Sequence, residues 1–369
     1  MMYIIKVLKK PRFFMAGLLI ILTLSIFLIL CSTKDNLAAV TTVDIDWYPI
    51  LSRIFEQRNG FVLKQNSTGL GSIYLTNERN GLWAYQNELK RSEYLKNWSI
   101  KQGVEFISIK SKINIRRSRQ VGRGYSFYVV CADEYKYVYK NDPKINAFYL
   151  GTYHSLDLIP LDNAWIISRE WYDDPLSSTL DAKSIPEGMT LAISAHDQKA
   201  VPDLNQSRAA AVDYANSYCG AASPTNSNKY NSKYTDYNPL GGDCANFVSQ
   251  VLYEGGGFKK NSTWNYKDGK GSRTWIKARE LTDFLIYSGR ASLISKGKYK
   301  DIYQHAYDLL PGDIISYSKK GKITHVSVVT GFDSKGYPLV NCHNTDRYRV
   351  PFDIGWNQDT VCHLLSVHY

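Results

Sequence analysis

Three side chains in the C-terminal half are of the types that together cut an amide bond. Cys244 lies in GGDCANFVSQ (241–250), where a glycine-rich turn leads into an apolar stripe. Ala245, Phe247, Val248, Val251 and Leu252 recur at helical steps and Gly255, Gly256 and Gly257 stop them. The spacing predicts a buried helix with Cys244 in its first turn and Asp243 as its N-cap. A thiol attacks only as its thiolate, and the unpaired N–H groups at a helix start lower its pKa and can hold an oxyanion. A free Asp243 carboxylate pulls the other way unless the backbone engages it. The plain alternative is a small core residue, since cysteine is among the most buried types.

A thiolate needs a proton acceptor. LLPGDIISYSKKGKITHVSVVTGF (309–332) reads as a strand, a basic turn and a second strand, which His325 opens in register with Ser327 and Val329. A histidine at the mouth of a strand that faces a helix start has the placement a Cys–His pair requires. A third group should orient the imidazole. YPLVNCHNTDRY (337–348) supplies His343, with Asn341 and Asn344 as alternates. Asn246 either lines the cleft or helps to cap the helix, and Tyr237 in the preceding loop either touches substrate or is an ordinary loop tyrosine. Trp264 and Trp275 could stack on a ligand, but Trp275 continues into Ala278, Leu281, Phe284 and Leu285, as a core residue would.

Positioning these groups takes a domain, and the chain divides readily. We expect an apolar N-terminal segment (1–31), a linker (32–43), an α+β domain (44–180), a second linker (181–203) and a C-terminal domain (204–369). In the first domain, WYPILSRIF and residues 81–103 have helical spacing. VEFISIKSKINIRR, GYSFYVVCADEYKYVYK, NAFYLGTYHSLDLIP and AWIISREWY then read as strands. Helices followed by consecutive antiparallel strands imply a curved sheet wrapped on a helix. That order resembles an NTF2-like or cystatin-like cone. His154 and the pair Asp173/Asp174 are its chemically suggestive residues, the pair reading as a turn or cap. In the second half, a polar loop (222–243) leads straight into Cys244, as active-site loops tend to do.

Hydrophobic residues make up 44% of the chain, enough to fill cores, so wholesale disorder is excluded. The net charge of +11 is spread thinly. Its densest stretch, residues 110–123, alternates Lys110, Lys112, Arg116, Arg117, Arg119 and Arg123 with Ile113 and Ile115, the pattern of a strand's solvent face. No nucleic-acid-reading motif is present, so no nucleic-acid partner is expected.

KVLKKPRFFMAGLLIILTLSIFLILC is a positive flank followed by an apolar run, Phe13 to Cys31, close to the 20 or so residues that span a bilayer. It reads as a signal peptide or a membrane anchor; the run's length points to an anchor, and NLAAV (36–40) offers small residues for cleavage. Leu30 before Cys31 speaks against a lipidated cysteine. The rest of the chain is therefore expected outside the cell or at its surface. Of the six cysteines, those after Cys31 (Cys131, Cys219, Cys244, Cys342 and Cys362) are an odd set, which points to at least one free thiol and allows up to two disulfides.

GDCANFVSQVLYEGG, TWNY, RTWIKARELTDFL, LLPGDIISY, ITHVSVVTGF and YPLVNCHNTD, taken in order, resemble the putative amidase domain family of exported bacterial proteins over about residues 205–360. More distantly they resemble NlpC-type and CHAP cell-wall cysteine hydrolases. The resemblance implies a papain-like α+β fold, Cys244 as nucleophile, His325 as general base and His343 at the third polar position. Tyr237 resembles a tyrosine that touches substrate in the NlpC type, and Asn246 and Asn344 complete the candidate substrate-binding set. No cofactor is implied, and the expected substrate is an amide of cell-wall peptidoglycan. Two other readings compete: a wall-binding or adaptor module on an amidase-like scaffold, and a zinc site built from Cys244, His325, Cys342 and His343.

Overall fold

A computed structural model of the protein describes residues 45–369, except 182, 184, 187, 198–202 and 226–228. The expected apolar segment (1–31) and the first linker (32–43) lie outside the described residues. Among the described residues no helix is long and apolar enough to cross a membrane. The sheet lies within one compact unit, Tyr48–Tyr369.

Helices come first, where the periodicity predicts them: α1 (Trp47–Leu63), α2 (Ser67–Gly71) and α3 (Arg79–Gln102). Gly103, at φ 73°, takes the left-handed conformation that ends α3 and turns the chain into the first strand. β1 (Val104–Val121), β2 (Gly124–Tyr139), β3 (Asp142–Leu161) and β4 (Ala164–Trp171) then run as an antiparallel meander. The basic residues of 110–123 are exposed on β1 and its turn while Ile113 is buried, the solvated face that the alternation implies. Asp174 turns inward, and its Oδ1 accepts the Leu176 N–H at 2.8 Å, a turn role.

The second half adds α4 (Met189–Ser194), α5 (Gln206–Ser217) and α6 (Cys244–Gln250), the last running into a wider turn over Val251–Gly255. A small ribbon, β5 (Tyr266–Lys267) and β6 (Lys270–Gly271), precedes α7 (Arg273–Ile276) and α8 (Ala278–Tyr287). The remainder is β7 (Ala291–Lys298), α9 (Tyr299–Ile302), β8 (Ile314–Lys319), β9 (Lys322–Phe332), β10 (Pro338–Cys342), β11 (Asp346–Pro351) and β12 (Val361–Val367). The fold is thus α+β with antiparallel pairing throughout its main sheet.

That sheet has ten strands in the order β1-β2-β3-β11-β10-β9-β8-β12-β7, with β4 also on β3. Residues 44–180 and 204–369 therefore meet in one continuous sheet, joined where Tyr149, Leu150 and Gly151 pair with Tyr348, Arg347 and Asp346. Only glycine fits at 151, because a Cβ there would stand 2.4 Å from the Ala222 backbone nitrogen.

One face of the second half carries α5, α6 and α8, whose Ala211, Ala215, Phe247, Val248, Leu281 and Leu285 pack with Ile314, Val326, Val328, Leu365 and Val367 in one buried cluster. Trp264 and Trp275 are fully buried and stacked at 4.8 Å, so both are core rather than a ligand platform. Helix α3 reaches the second half through Asp353. That carboxylate accepts from Lys101 Nζ at 2.6 Å, Tyr337 Oη at 2.7 Å and Trp98 Nε1 at 3.2 Å. Tyr94 Oη holds the same loop, donating to the Trp356 carbonyl at 2.8 Å and accepting the Gly355 N–H at 2.6 Å.

Removing one partner of a buried ion pair strands the other in low dielectric. Asp353→Ala should therefore lower the unfolding free energy by about 3–5 kcal/mol, read from urea denaturation. A loss near zero would mean that Lys101 finds water or another partner.

Candidate active site

Cys244 is the first residue of α6, all seven residues of which are buried. Asp243 stands at the N-cap position, but its side chain makes no capping bond. It is committed elsewhere: Oδ1 accepts the Tyr237 N–H at 2.9 Å and Asn246 Nδ2 at 2.8 Å, while Oδ2 meets His343 Nδ1 at 2.6 Å. The expected cap is thus replaced by a brace between the loop, the helix and β10. The backbone engages the carboxylate, as the thiol would need.

The thiol itself departs from the sequence expectation. Burial pushes the Cys244 pKa up to about 11, against hydrogen bonds from the backbone N–H groups of Val326 and Ala245 that favour the thiolate. The Ala245 donor is one the helix start was expected to supply; the Val326 donor comes from β9 instead. They lose because Cys244 is only 6% exposed and the Asp243 charge adds to the penalty.

His325 is the neighbour in sequence of Val326, whose backbone N–H favours the Cys244 thiolate. It does not open β9: the strand starts at Lys322, and a register shift lies between the pairs Tyr317–His325 and Ser318–Ile323. Side chains alternate along a strand, so the ring lies on the face opposite Val326, the face where Tyr317 is its cross-strand partner. There Tyr317 and Trp356 stack at 4.3 Å, with the imidazole 5.8 Å and 5.4 Å from their ring centres. No hydrogen bond joins Cys244 to His325, and the buried Nε2 of His325 has no partner. Burial, helped by the charges of Arg347 and Lys319, drops the His325 pKa to about 3. At neutral pH it is a neutral imidazole, the form that accepts a proton.

His343 is tied down at both nitrogens. Nδ1 faces Asp243 Oδ2 and Nε2 faces the Tyr218 carbonyl, each at 2.6 Å. A carboxylate and a carbonyl only accept, so both ring nitrogens must carry protons and the ring is an imidazolium. Phe247 and Tyr230 flank it at 4.2 and 4.3 Å between ring centres. Burial lowers its pKa, but the Asp243 bond and charge more than offset that, and the net shift is upward. With both nitrogens taken, His343 has none to offer His325.

The remaining candidates are placed as follows. Asn341 accepts from Thr330 Oγ1 and the Arg349 N–H and donates to the Ala215 carbonyl, tying β10 to β9 and α5. Asn344, half-buried and left-handed at φ 68°, turns β10 into β11 and lies over Gly242. Asn246 neither lines a cleft nor caps: its amide donates to the Thr235 carbonyl at 3.0 Å and to Asp243, and accepts from Trp275 Nε1 at 2.9 Å. Tyr237 is half-buried, and its hydroxyl accepts the Gly271 N–H at 2.9 Å. In the first half, His154 is fully buried against Glu170 Oε1 at 2.7 Å. Cys131, Cys219, Cys244, Cys342 and Cys362 are all free and buried. Among the described residues no three His, Cys, Asp or Glu side chains converge as metal ligands.

Sequence reasoning missed the Asp243–His343 pair and the Tyr317–Trp356 slot. Adjacency of Asp243 to Cys244 was a usable signal for the first. Nothing in the local pattern around Trp356 announces the second.

Residues 205–365 match the family described as a putative amidase domain. A curated relative, the uncharacterized protein YhbB of Bacillus subtilis (strain 168), is 28% identical over 170 residues. That match covers 44% of this chain and 48% of the relative, so the chain spans about half the length of the curated relative it matches. No solved structure matches significantly.

Two outcomes follow from these environments. Iodoacetamide should alkylate Cys244 more slowly at pH 7 than it does free cysteine, and faster as the pH climbs toward 11; rapid labelling at neutral pH would contradict the buried thiol. His343 binds its proton more tightly folded than unfolded. The stability it contributes is thus complete below its unfolded pKa of about 6.5 and is lost as pH rises through the higher folded value. Thermal unfolding from pH 6 to 9 should show that decline, and His343→Asn should flatten it; an unchanged slope would contradict the imidazolium.

Proposed function

We propose that the chain is an exported, cysteine-dependent amidase acting on an amide of cell-wall peptidoglycan, on a papain-like C-terminal half. The observation that carries this reading is the packing of α6, with Cys244 as its first residue, on β9, which holds His325 beside Val326, within the segment that matches the amidase family. The first-turn amides of α6 have no side-chain cap, which leaves them for the oxyanion.

In the reaction His325, neutral at the working pH, leaves its aromatic slot and takes the thiol proton. The sulfur attacks the amide carbonyl, and the tetrahedral intermediate collapses as His325 returns that proton to the departing amine. Water, deprotonated by His325, then splits the thioester, releasing the carboxylic acid and restoring the thiol. His343 acts as a positioning residue: through Asp243 it fixes the residue that precedes the nucleophile. Catalytic hydrogen bonds are often long or poorly aligned before substrate arrives and tighten afterwards, so the bond from Cys244 to His325 is one that substrate would complete.

A second reading, a wall-binding module on an amidase scaffold, draws support from the same burial of Cys244 and its missing bond to His325. Purified peptidoglycan and product mass spectrometry separate the two. The amidase reading expects new amine and carboxyl ends from the parent and a loss of about 10³-fold or more in Cys244→Ser and in His325→Ala. Equal hydrolysis by Cys244→Ser would remove the nucleophile, and no hydrolysis by the parent would leave the binding module.

A further inference from the structure

A groove of about 430 Å³ lies far along the chain from Cys244, between the start of α3 and the end of β4. Asn80, Trp83, Ala84 and Asn87 line it from the helix, and Arg169 and Trp171 line it from the strand. The chain has eight tryptophans, of which Trp83 (53%) and Trp171 (67%) are the two that stand exposed. Both border this one groove. Large aromatic rings left in water at a concave site mark a contact surface more often than chance exposure does.

The lining also says what would fit. Arg169 is neutralised by Asp157, with Nε and Nη2 on the two carboxylate oxygens at 2.6 and 3.1 Å. Glu170 turns its carboxylate inward to Arg58 at 3.0 Å and to His154. The two charged residues of the lining, Arg169 and Glu170, are thus both paired, which disfavours an ionic ligand in the groove itself. What it does present is two flat indoles and two side-chain amides. Asn80 is exposed with no side-chain partner among the described residues, and Asn87 spends one N–H on Asp174 at 3.3 Å, leaving its carbonyl. Indole faces pack against the C–H face of a pyranose, and planar amides pair with hydroxyl and N-acetyl groups. Rigidity comes from behind: Glu170 and Tyr172 are fixed by Arg58, Tyr74, Glu88 and Arg91, all buried. Arg79 lies over one face of Trp83 at 4.2 Å and holds that ring in place.

We propose that this groove binds a neutral N-acetylated saccharide, with Trp83 and Trp171 as its stacking walls and Asn80 and Asn87 as its hydrogen-bonding groups. It rests on the proposed function only for the source of that saccharide, the glycan strand that carries the amide to be cut. In that case the first half of the chain holds the sugar while the second half works on the peptide.

The test uses the full-length protein and N-acetylglucosamine tetrasaccharide, followed by tryptophan fluorescence and by calorimetry. Saturable binding is expected, weakened at least tenfold in Trp83→Ala and in Trp171→Ala, with Trp171→Phe keeping part of it and unfolding curves unchanged. Cys244→Ser should bind the tetrasaccharide as the parent does. Hydrolysis surviving in that variant would therefore sink the nucleophile while leaving the groove standing. The proposal is overturned if the tetrasaccharide gives no saturable signal, if both alanine variants bind as the parent does, or if a wall tetrapeptide occupies the groove in its place.

Discussion

A buried carboxylate–imidazolium contact one residue ahead of the cysteine organises the second half of the molecule. Asp243 and His343 are each about 1% exposed, come from opposite sides of a hundred-residue separation and meet at 2.6 Å. A buried pair of this kind is poor evidence for extra stability, since desolvating two charges offsets much of their attraction. Its value is geometric. The pair specifies which turn of β10–β11 abuts which end of α6, and every further hydrogen bond to Asp243 fixes the loop that arrives at Cys244. A cap would have held only the helix; the brace holds helix, loop and sheet together.

The first half enters the same account through α3. Lys101, Trp98 and Tyr94 grip the loop from Asp353 to Trp356, and Trp356 is a wall of the slot that receives His325. The sheet gives the two halves a second joint at β3–β11. A helix near the N-terminus therefore sets the surroundings of a histidine near the C-terminus. This is a physical reason for the two stretches of chain to occur together.

Much of this was legible from residue order alone. Period-two runs of β-branched and aromatic residues located β1 to β4, and the stripe after Cys244 located α6, because local pattern reports local structure. The basic residues of β1 gave their solvent face for the same reason. What failed was anything decided by packing. The low-pKa thiol expected at a helix start became a raised one because neighbours on all sides remove water, which no local motif reveals. Asn246 and Trp264, readable as cleft residues, proved to be part of the core that buries Cys244. The faces of β9 followed from alternation, yet their consequence for His325 depended on Trp356, distant in sequence.

The central claim is that the Cys244 sulfur carries the acyl group of a cut amide. Intact-protein mass spectrometry of a reaction quenched in acid, followed by peptide mapping, observes that species itself. The account predicts a mass gain equal to the acyl part of the substrate, located on the peptide that contains Cys244 and released by hydroxylamine. Turnover with an unmodified Cys244, or an adduct confined to another residue, would contradict it.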